Sequence, residues 1–241
     1  MIPLILVHGG AHGAWCWDPL LPLLRTPACA VDLPPVSIRR GPTRHVLPPE
    51  AEGLRLEDWA AAVLAAADAR GIDRFVLAGH SLGGLTICET ARRAPDRVAH
   101  LVFVSAMVPP EGKHTVDALP ADMIERMATG LGDDTLREMF CSDMDDAGTA
   151  FVLEHLGTEV GSIMVEQVTR ADLDATISKT YVRLRRDRGL PPEAQDASIA
   201  ALRAVPGGSV EIVELDTGHD VMISRPDLLA PVLDAIAAAT S

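Results

Sequence analysis

The stretch Arg74-Phe-Val-Leu-Ala-Gly79-His80-Ser81-Leu82-Gly83-Gly84-Leu85-Thr-Ile-Cys-Glu-Thr-Ala-Arg-Arg93 passes from a short apolar run through a glycine-flanked serine into a helix-forming segment. A strand that turns sharply into a helix holds the residue at the turn in a strained backbone conformation, and small neighbours are needed two positions on either side. Gly79 and Gly83 supply them, which identifies Ser81 as a candidate nucleophile. The string G-x-S-x-G alone is weak in a chain rich in alanine and glycine. Its placement between strand and helix carries the reading.

A nucleophilic serine needs a base, a group that orients the base, and donors for the oxyanion. Val210-Glu-Ile-Val-Glu-Leu215 reads as a buried strand, and Asp216-Thr-Gly-His219-Asp220 as the turn after it. His219 therefore stands at a strand's C-terminal end, where an imidazole can reach Ser81 and exchange protons near neutrality. Lys179-Thr-Tyr-Val-Arg-Leu-Arg185 alternates like another strand and leads into Arg186-Asp187-Arg188-Gly189-Leu190-Pro191-Pro192. Asp187 at that turn is the expected acid, accepting the second imidazole NH. Asp216, Asp220 and Asp196 compete for the role, the first two sitting close to His219 in sequence. Arg186 and Arg188 draw the Asp187 carboxylate away from the histidine if either pairs with it.

The oxyanion donors are expected from two backbone NH groups, one on the residue after the nucleophile and one on a loop after an early strand. Leu82 is the first. Pro3-Leu-Ile-Leu-Val7 reads as a strand and His8-Gly9-Gly10-Ala11-His12-Gly13 follows it, so Gly10 is the second. Glycine lets the backbone come close to a bound oxygen there. His8 and His12 are expected to buttress the loop, with His12 and Gly9 also placed as pocket candidates.

HGGAHGAW at 8 to 15, VDLP at 31 to 34, GHSLGG at 79 to 84, VFVSAMVP at 102 to 109, RDRGLPPEAQ at 186 to 195 and TGHDVM at 217 to 222 together resemble the alpha/beta-hydrolase superfamily. They are most similar to the branch that holds the plant methyl-ester esterases and the hydroxynitrile lyases. The likeness runs from Ile2 to the C-terminal helix and is weakest between about Pro110 and Ser178. Carried onto this chain, it implies Ser81 as nucleophile, Asp187 as acid, His219 as base, and Gly10 and Leu82 as oxyanion donors, in agreement with the residue-level reading. Two departures bear on chemistry. The lyases of that branch have a threonine where this chain has Gly9, and a lysine after the catalytic histidine where this chain has Asp220. Ester cleavage is therefore expected rather than cyanogenesis.

Alternating strand and helix signals over 241 residues predict one α/β domain, a mostly parallel sheet of about six strands flanked by helices. Strands are expected near 2–8, 28–33, 74–79, 99–105, 179–186 and 209–215, and helices near 16–25, 56–70, 82–94 and 226–239. The two leading antiparallel strands usual for the fold are not expected. Proline and glycine at Pro34-Pro35, Gly41-Pro42 and Pro48-Pro49 mark a long loop after the second strand, placed to border the active-site mouth. The hydrolase core is assigned to 1–107 and 179–241, with a helical cap at 108–178. Amphipathic pieces at Pro120–Ala128, Asp134–Phe140 and Thr149–His155 are its expected helices. Methionines gather there, and Met107, Met123 and Met127 are the pocket candidates. Aromatic residues make up 3% of the chain, so an aliphatic pocket is expected.

The net charge of −13 disfavours nucleic acid and anionic membrane as partners. Four cysteines without C-x-x-C spacing read as reduced thiols, and neither a zinc-like ligand set nor a G-x-G-x-x-G phosphate loop is present. No cofactor is expected. A cytoplasmic location follows from the absence of a secretory leader pattern, and a homodimer is left open beside the monomer. The expected activity is hydrolysis of a small, largely apolar ester, thioester or lactone. A lyase, cyclase or acyl transferase using the same residues, or a small-ligand receptor on the same fold, are the alternatives.

Overall fold

Strands that are apolar on both faces can be accommodated only in a sheet covered on both sides. The computed structural model describes residues 1–35, 49–119, 121, 124–125, 131–205 and 208–240, and in it such runs form one six-stranded sheet. The strands are β1 (Leu4–Val7), β2 (Ala28–Val31), β3 (Phe75–His80), β4 (Val98–Val104), β5 (Ser178–Leu184) and β6 (Glu211–Leu215). Their spatial order is β2-β1-β3-β4-β5-β6, and every neighbouring pair is parallel. The described helices are α1 (Leu56–Asp68), α2 (Gly83–Arg93), α3 (Asp133–Phe140), α4 (Asp146–His155), α5 (Gly161–Met164), α6 (Pro192–Arg203), α7 (Val221–Ser224) and α8 (Pro226–Ala239). None is long and apolar enough to cross a membrane.

The period of two along each strand divides the core. Ile5, Val7, Leu77, Leu101, Phe103 and Tyr181 pack with residues of α1, α2 and α6, while Leu4, Leu6, Val76, Ala78, Val102, Val104 and Val182 pack with α8 and Trp17. Each fully buried side chain of this kind contributes roughly 1.5–3 kcal/mol, so both helical layers are bound to the sheet by many such terms.

Several expectations need correction. The helix expected at 16–25 is two short 3-10 turns, Ala14–Trp17 and Leu21–Leu23. Pro19 and Pro22 lack the NH groups an α-helical ladder needs there. The strand at 210–215 is an exposed edge, not a buried one: Glu211, Ile212 and Glu214 face solvent, and the two carboxylates deter pairing with another chain. α6 was not anticipated, although Pro192 in its first turn followed by Glu193 is a helix-start signal. Between β4 and β5, α3 and α4 match two expected pieces. α4 begins three residues early because Asp145 caps it, accepting from Gly148 N at 2.8 Å. Most of the piece at 120–128, of which residues 121, 124 and 125 are helical, and most of the loop after β2, including Gly41 and Pro42, lie outside the described residues.

The chain winds from β1 outward to β2, then returns to β3 and proceeds the other way to β6. In such sheets ligands bind beyond the C-terminal ends of the strands, at the point where the order reverses. That point lies between β1 and β3, with Val7 level with Gly79. Here β3, α2 and the loop after β1 meet backbone to backbone. A Cβ on Gly79 would lie 2.6 Å from Gly83 O, and one on Gly83 would lie 2.7 Å from His8 O. Neither partner is a side chain that can swing away. Gly79→Ala is expected to destabilise the fold by about 1–3 kcal/mol, lowering the thermal midpoint by roughly 3–10 °C. An unchanged midpoint in calorimetry would show that this contact is looser than the structure has it.

Candidate active site

Ser81 follows β3 at φ 50°, in the left-handed region that a side-chain-bearing residue enters only under constraint. The constraint is backbone hydrogen bonding. Ser81 N donates to Val104 O at 3.1 Å, while Ser81 O accepts from Gly84 N at 3.0 Å and Met107 N at 2.9 Å. Gly9 is a glycine for the same reason, since a Cβ there would stand 2.8 Å from Ser81 Cβ. The serine hydroxyl makes no hydrogen bond with a described residue; it opens into a cavity whose wall it shares with His219, Gly10, Leu82 and Met107.

His219 arrives on the loop after β6 and Asp187 on the loop after β5. The His219 Nδ1–H donates to Asp187 Oδ2 at 2.7 Å. This partner fixes the tautomer and leaves Nε2 as the proton acceptor. Asp187 is itself held from three directions: its Oδ1 accepts from Gly189 N at 2.7 Å and Leu190 N at 2.8 Å, and its Oδ2 accepts from Ser105 Oγ at 2.5 Å. Gly189 lies beneath the imidazole, where a Cβ would come within 2.8 Å of His219 Cγ. Phe140 and His80 flank the ring at centroid distances of 5.5 and 4.5 Å. Burial opposes charging His219, but the Asp187 carboxylate, helped by Asp220 and Asp143, outweighs it and raises the imidazole above its ordinary 6.5.

The competing carboxylates are engaged elsewhere. Asp216 is on the surface beside Arg185 and Arg186, Asp196 pairs with Arg183 at 2.9 Å, and Asp220 is buried against His12. Arg186 donates to Asp216 O, and Arg188 reaches towards Glu138. Neither arginine touches Asp187, so its carboxylate is wholly available to the histidine and the loop.

The loop after β1 is braced by two histidines, His8 and His12. The His8 Nδ1–H donates to Gly9 O at 2.8 Å while Nε2 accepts from Leu33 N at 3.1 Å, a pattern only a neutral ring can make. Burial agrees, pushing His8 down to about 4. His12 is held at both nitrogens, by Gly10 O at 2.7 Å and Asp220 Oδ2 at 3.0 Å, and so joins the oxyanion loop to the loop that carries His219. The His80 Nε2–H donates to His219 O at 3.1 Å, tying the base loop to the nucleophile turn. His80, His219 and Asp220 lie close enough to share a metal ion. Of their atoms, His80 Nε2 donates to His219 O, Asp220 Oδ2 accepts from His12 and His219 Nδ1 donates to Asp187, while His80 Nδ1 and Asp220 Oδ1 are buried without a hydrogen-bond partner among the described residues.

Gly10 and Leu82 both reach the cavity wall, and neither NH is taken by a described residue. Met107 lines the same cavity. His12 and Gly9 line an adjoining one instead, and Met123 and Met127 lie outside the described residues. Leu119, Leu131, Leu136, Met139, Phe140 and Met164, all from the segment between β4 and β5, complete the wall, which is mainly aliphatic. Ser105, which anchors Asp187, and Glu159, a carboxyl in the wall, were not singled out by sequence. Ser105 has φ 39° directly after β4, but no composition or spacing marks that turn.

A doubly wound parallel sheet with a strained serine after β3 and a His–Asp pair on the loops after its last two strands defines a hydrolase of the α/β class. The chain belongs to the alpha/beta hydrolase family, whose sequence profile matches residues 4–232. It is 30% identical to Esterase PIR7B of Oryza sativa subsp. japonica over 264 aligned positions, covering 97% of this chain and 94% of that protein. It is 28% identical to polyneuridine aldehyde esterase of Rauvolfia serpentina, over 92% of this chain and 90% of that one. The fold is also that of an extracellular alpha/beta-hydrolase from a Paenibacillus species, with a TM-score of 0.80 at 21% identity over 98% and 99% of the two chains. The relatives belong to the esterase branch that the motifs resemble.

Proposed function

We propose that this chain hydrolyses carboxylic esters, or the related lactones and thioesters, through Ser81, His219 and Asp187. The observation that carries the reading is the 2.7 Å hydrogen bond from His219 Nδ1 to a thrice-anchored Asp187, in a cavity that His219 shares with Ser81. His219 Nε2 takes the Ser81 proton as Oγ attacks the carbonyl carbon, and the resulting imidazolium is stabilised by Asp187. The oxyanion is received by the NH groups of Gly10 and Leu82. His219 then returns its proton to the departing alcohol. Water, deprotonated by the same imidazole, releases the acyl group and restores the serine.

Residues 108–178 act as a cap that supplies most of the acyl-side wall. That wall's leucines and methionines favour a small, largely apolar acyl group. Asp220, bound to His12, occupies the place of the lyases' lysine and offers nothing to a cyanohydrin.

The test is turnover of p-nitrophenyl esters, methyl esters and lactones by the wild type, with Ser81→Ala as control. Folded wild-type protein that turns over none of them would overturn the reading. The pH profile follows from the same geometry. Only neutral His219 accepts a proton, and its raised pKa keeps it charged to higher pH than an ordinary histidine. Activity should therefore rise with pH through a single limb whose midpoint in kcat/KM lies above 6.5. A midpoint well below that would mean that Asp187 is not charged beside the imidazole.

A further inference from the structure

Among the described residues, one polar side chain besides Ser81 and His219 lines the cavity that holds the nucleophile: Glu159. It lines the adjoining cavity too, with His12, Trp15 and Thr158, and so stands where the two meet. Its Oε2 accepts from Ala11 N at 3.0 Å and its Oε1 from Val160 N at 2.7 Å. A Cβ on residue 10 would overlap Glu159 Oε2, so glycine at this position is what admits the carboxyl beside the oxyanion loop.

A carboxylate has about four acceptor positions, and these two NH groups fill half of them. Among the described residues no lysine or arginine pairs with Glu159. The ionisable side chain that acts on it is His12, whose nitrogens are committed to Gly10 and Asp220. A carboxyl left this way among leucines and methionines is destabilised as an anion. Accordingly, burial pushes it up to about 7, against the opposing pull of Val160 N, Ala11 N and His12. The remaining lone pairs gain most from a donor that enters with the substrate.

We propose that Glu159 sets substrate specificity by accepting a hydrogen bond from a hydroxyl or ammonium group carried one or two bonds from the scissile carbonyl. The spacing follows from position: the carbonyl oxygen docks at Gly10 N, and Oε2 lies against the same residue. Above about pH 7, where Glu159 is ionised, it acts as a charged acceptor and repels an ester bearing a carboxylate at that place. The inference rests on the esterase reading for its substrate class, but its readout can also be taken as a ratio of dissociation constants, which does not depend on turnover.

Three probes separate the cases: methyl 2-hydroxyhexanoate, methyl hexanoate, and the anionic monomethyl ester of butanedioic acid. The wild type should prefer the hydroxy ester over methyl hexanoate by roughly tenfold or more in kcat/KM, as a hydrogen bond to a charged acceptor provides. Glu159→Leu should bring that ratio close to one. Glu159→Gln, which keeps the shape and an acceptor for one backbone NH, should raise use of the half-ester by roughly tenfold. The same ratios read as Kd by calorimetry on Ser81→Ala, alone and combined with each Glu159 change, test Glu159 even where no ester is cleaved. Ratios that stay within about twofold of wild type in both variants would overturn the proposal.

Discussion

Ser81→Ala should reduce ester turnover by a factor of roughly 10⁴–10⁶ while leaving the unfolding midpoint where it was. The size follows from what remains. Without Oγ the acyl-enzyme route is closed, and only binding and the Gly10 and Leu82 NH groups are left to assist attack by water. The unchanged midpoint follows from what the side chain does in the resting protein. The Ser81 backbone makes three hydrogen bonds, to Val104, Gly84 and Met107, whereas its hydroxyl makes none with a described residue. Alanine at φ 50° is no more strained than serine. Circular dichroism and a thermal scan beside the kinetic assay separate the two effects. Turnover that survives within tenfold would remove Ser81 from the chemistry, and a large fall in midpoint would make the kinetic loss uninterpretable as chemistry.

Residue types could be read from the sequence wherever backbone sterics or covalent order leave one choice. Gly79 and Gly83 are dictated by carbonyl oxygens less than 3 Å from where their Cβ atoms would be, so the nucleophile turn is legible where the glycine-flanked serine falls between a strand and a helix. The alternation of Leu4 to Val7 and of Val98 to Val104 between two cores is equally local. Features set by meetings across the fold were not visible. Nothing near Glu159 predicts that it reaches Ala11, 148 residues away in sequence. Ser105 becomes an anchor only because β4 and β5 pair so that Ser105 N meets Val182 O, five residues before Asp187. The edge position of β6 is likewise a matter of sheet order, which leaves Glu211 and Glu214 at the surface. Arg186 and Arg188 were a concern in sequence because they flank Asp187. In the folded turn Asp187 is buried, while Arg186 and Arg188 are exposed and pair at the surface.

Asp187→Asn tests the base-orienting step most sharply, because the protein dictates which way the new amide must point. Gly189 N and Leu190 N both donate to Asp187 Oδ1, so the amide oxygen has to take that place. The NH2 group then replaces Oδ2 and faces His219 Nδ1 and Ser105 Oγ. The Ser105 hydroxyl can turn and accept from it, and the loop keeps its shape. The imidazole cannot compromise: facing a donor, Nδ1 must become the acceptor, and the proton moves to Nε2. That nitrogen then has no lone pair for the Ser81 proton, and the imidazolium that would form has lost its counter-charge. A fall in kcat of roughly 10⁴ is expected, with KM little changed because the cavity wall is untouched. The acid limb should also move to lower pH, since the Asp187 charge is the chief influence raising His219. Nearly full activity in Asp187→Asn, with the limb unmoved, would return the role to another carboxylate. Asp220 is the one to test next, as it is a buried acid clustered with His80 and His219.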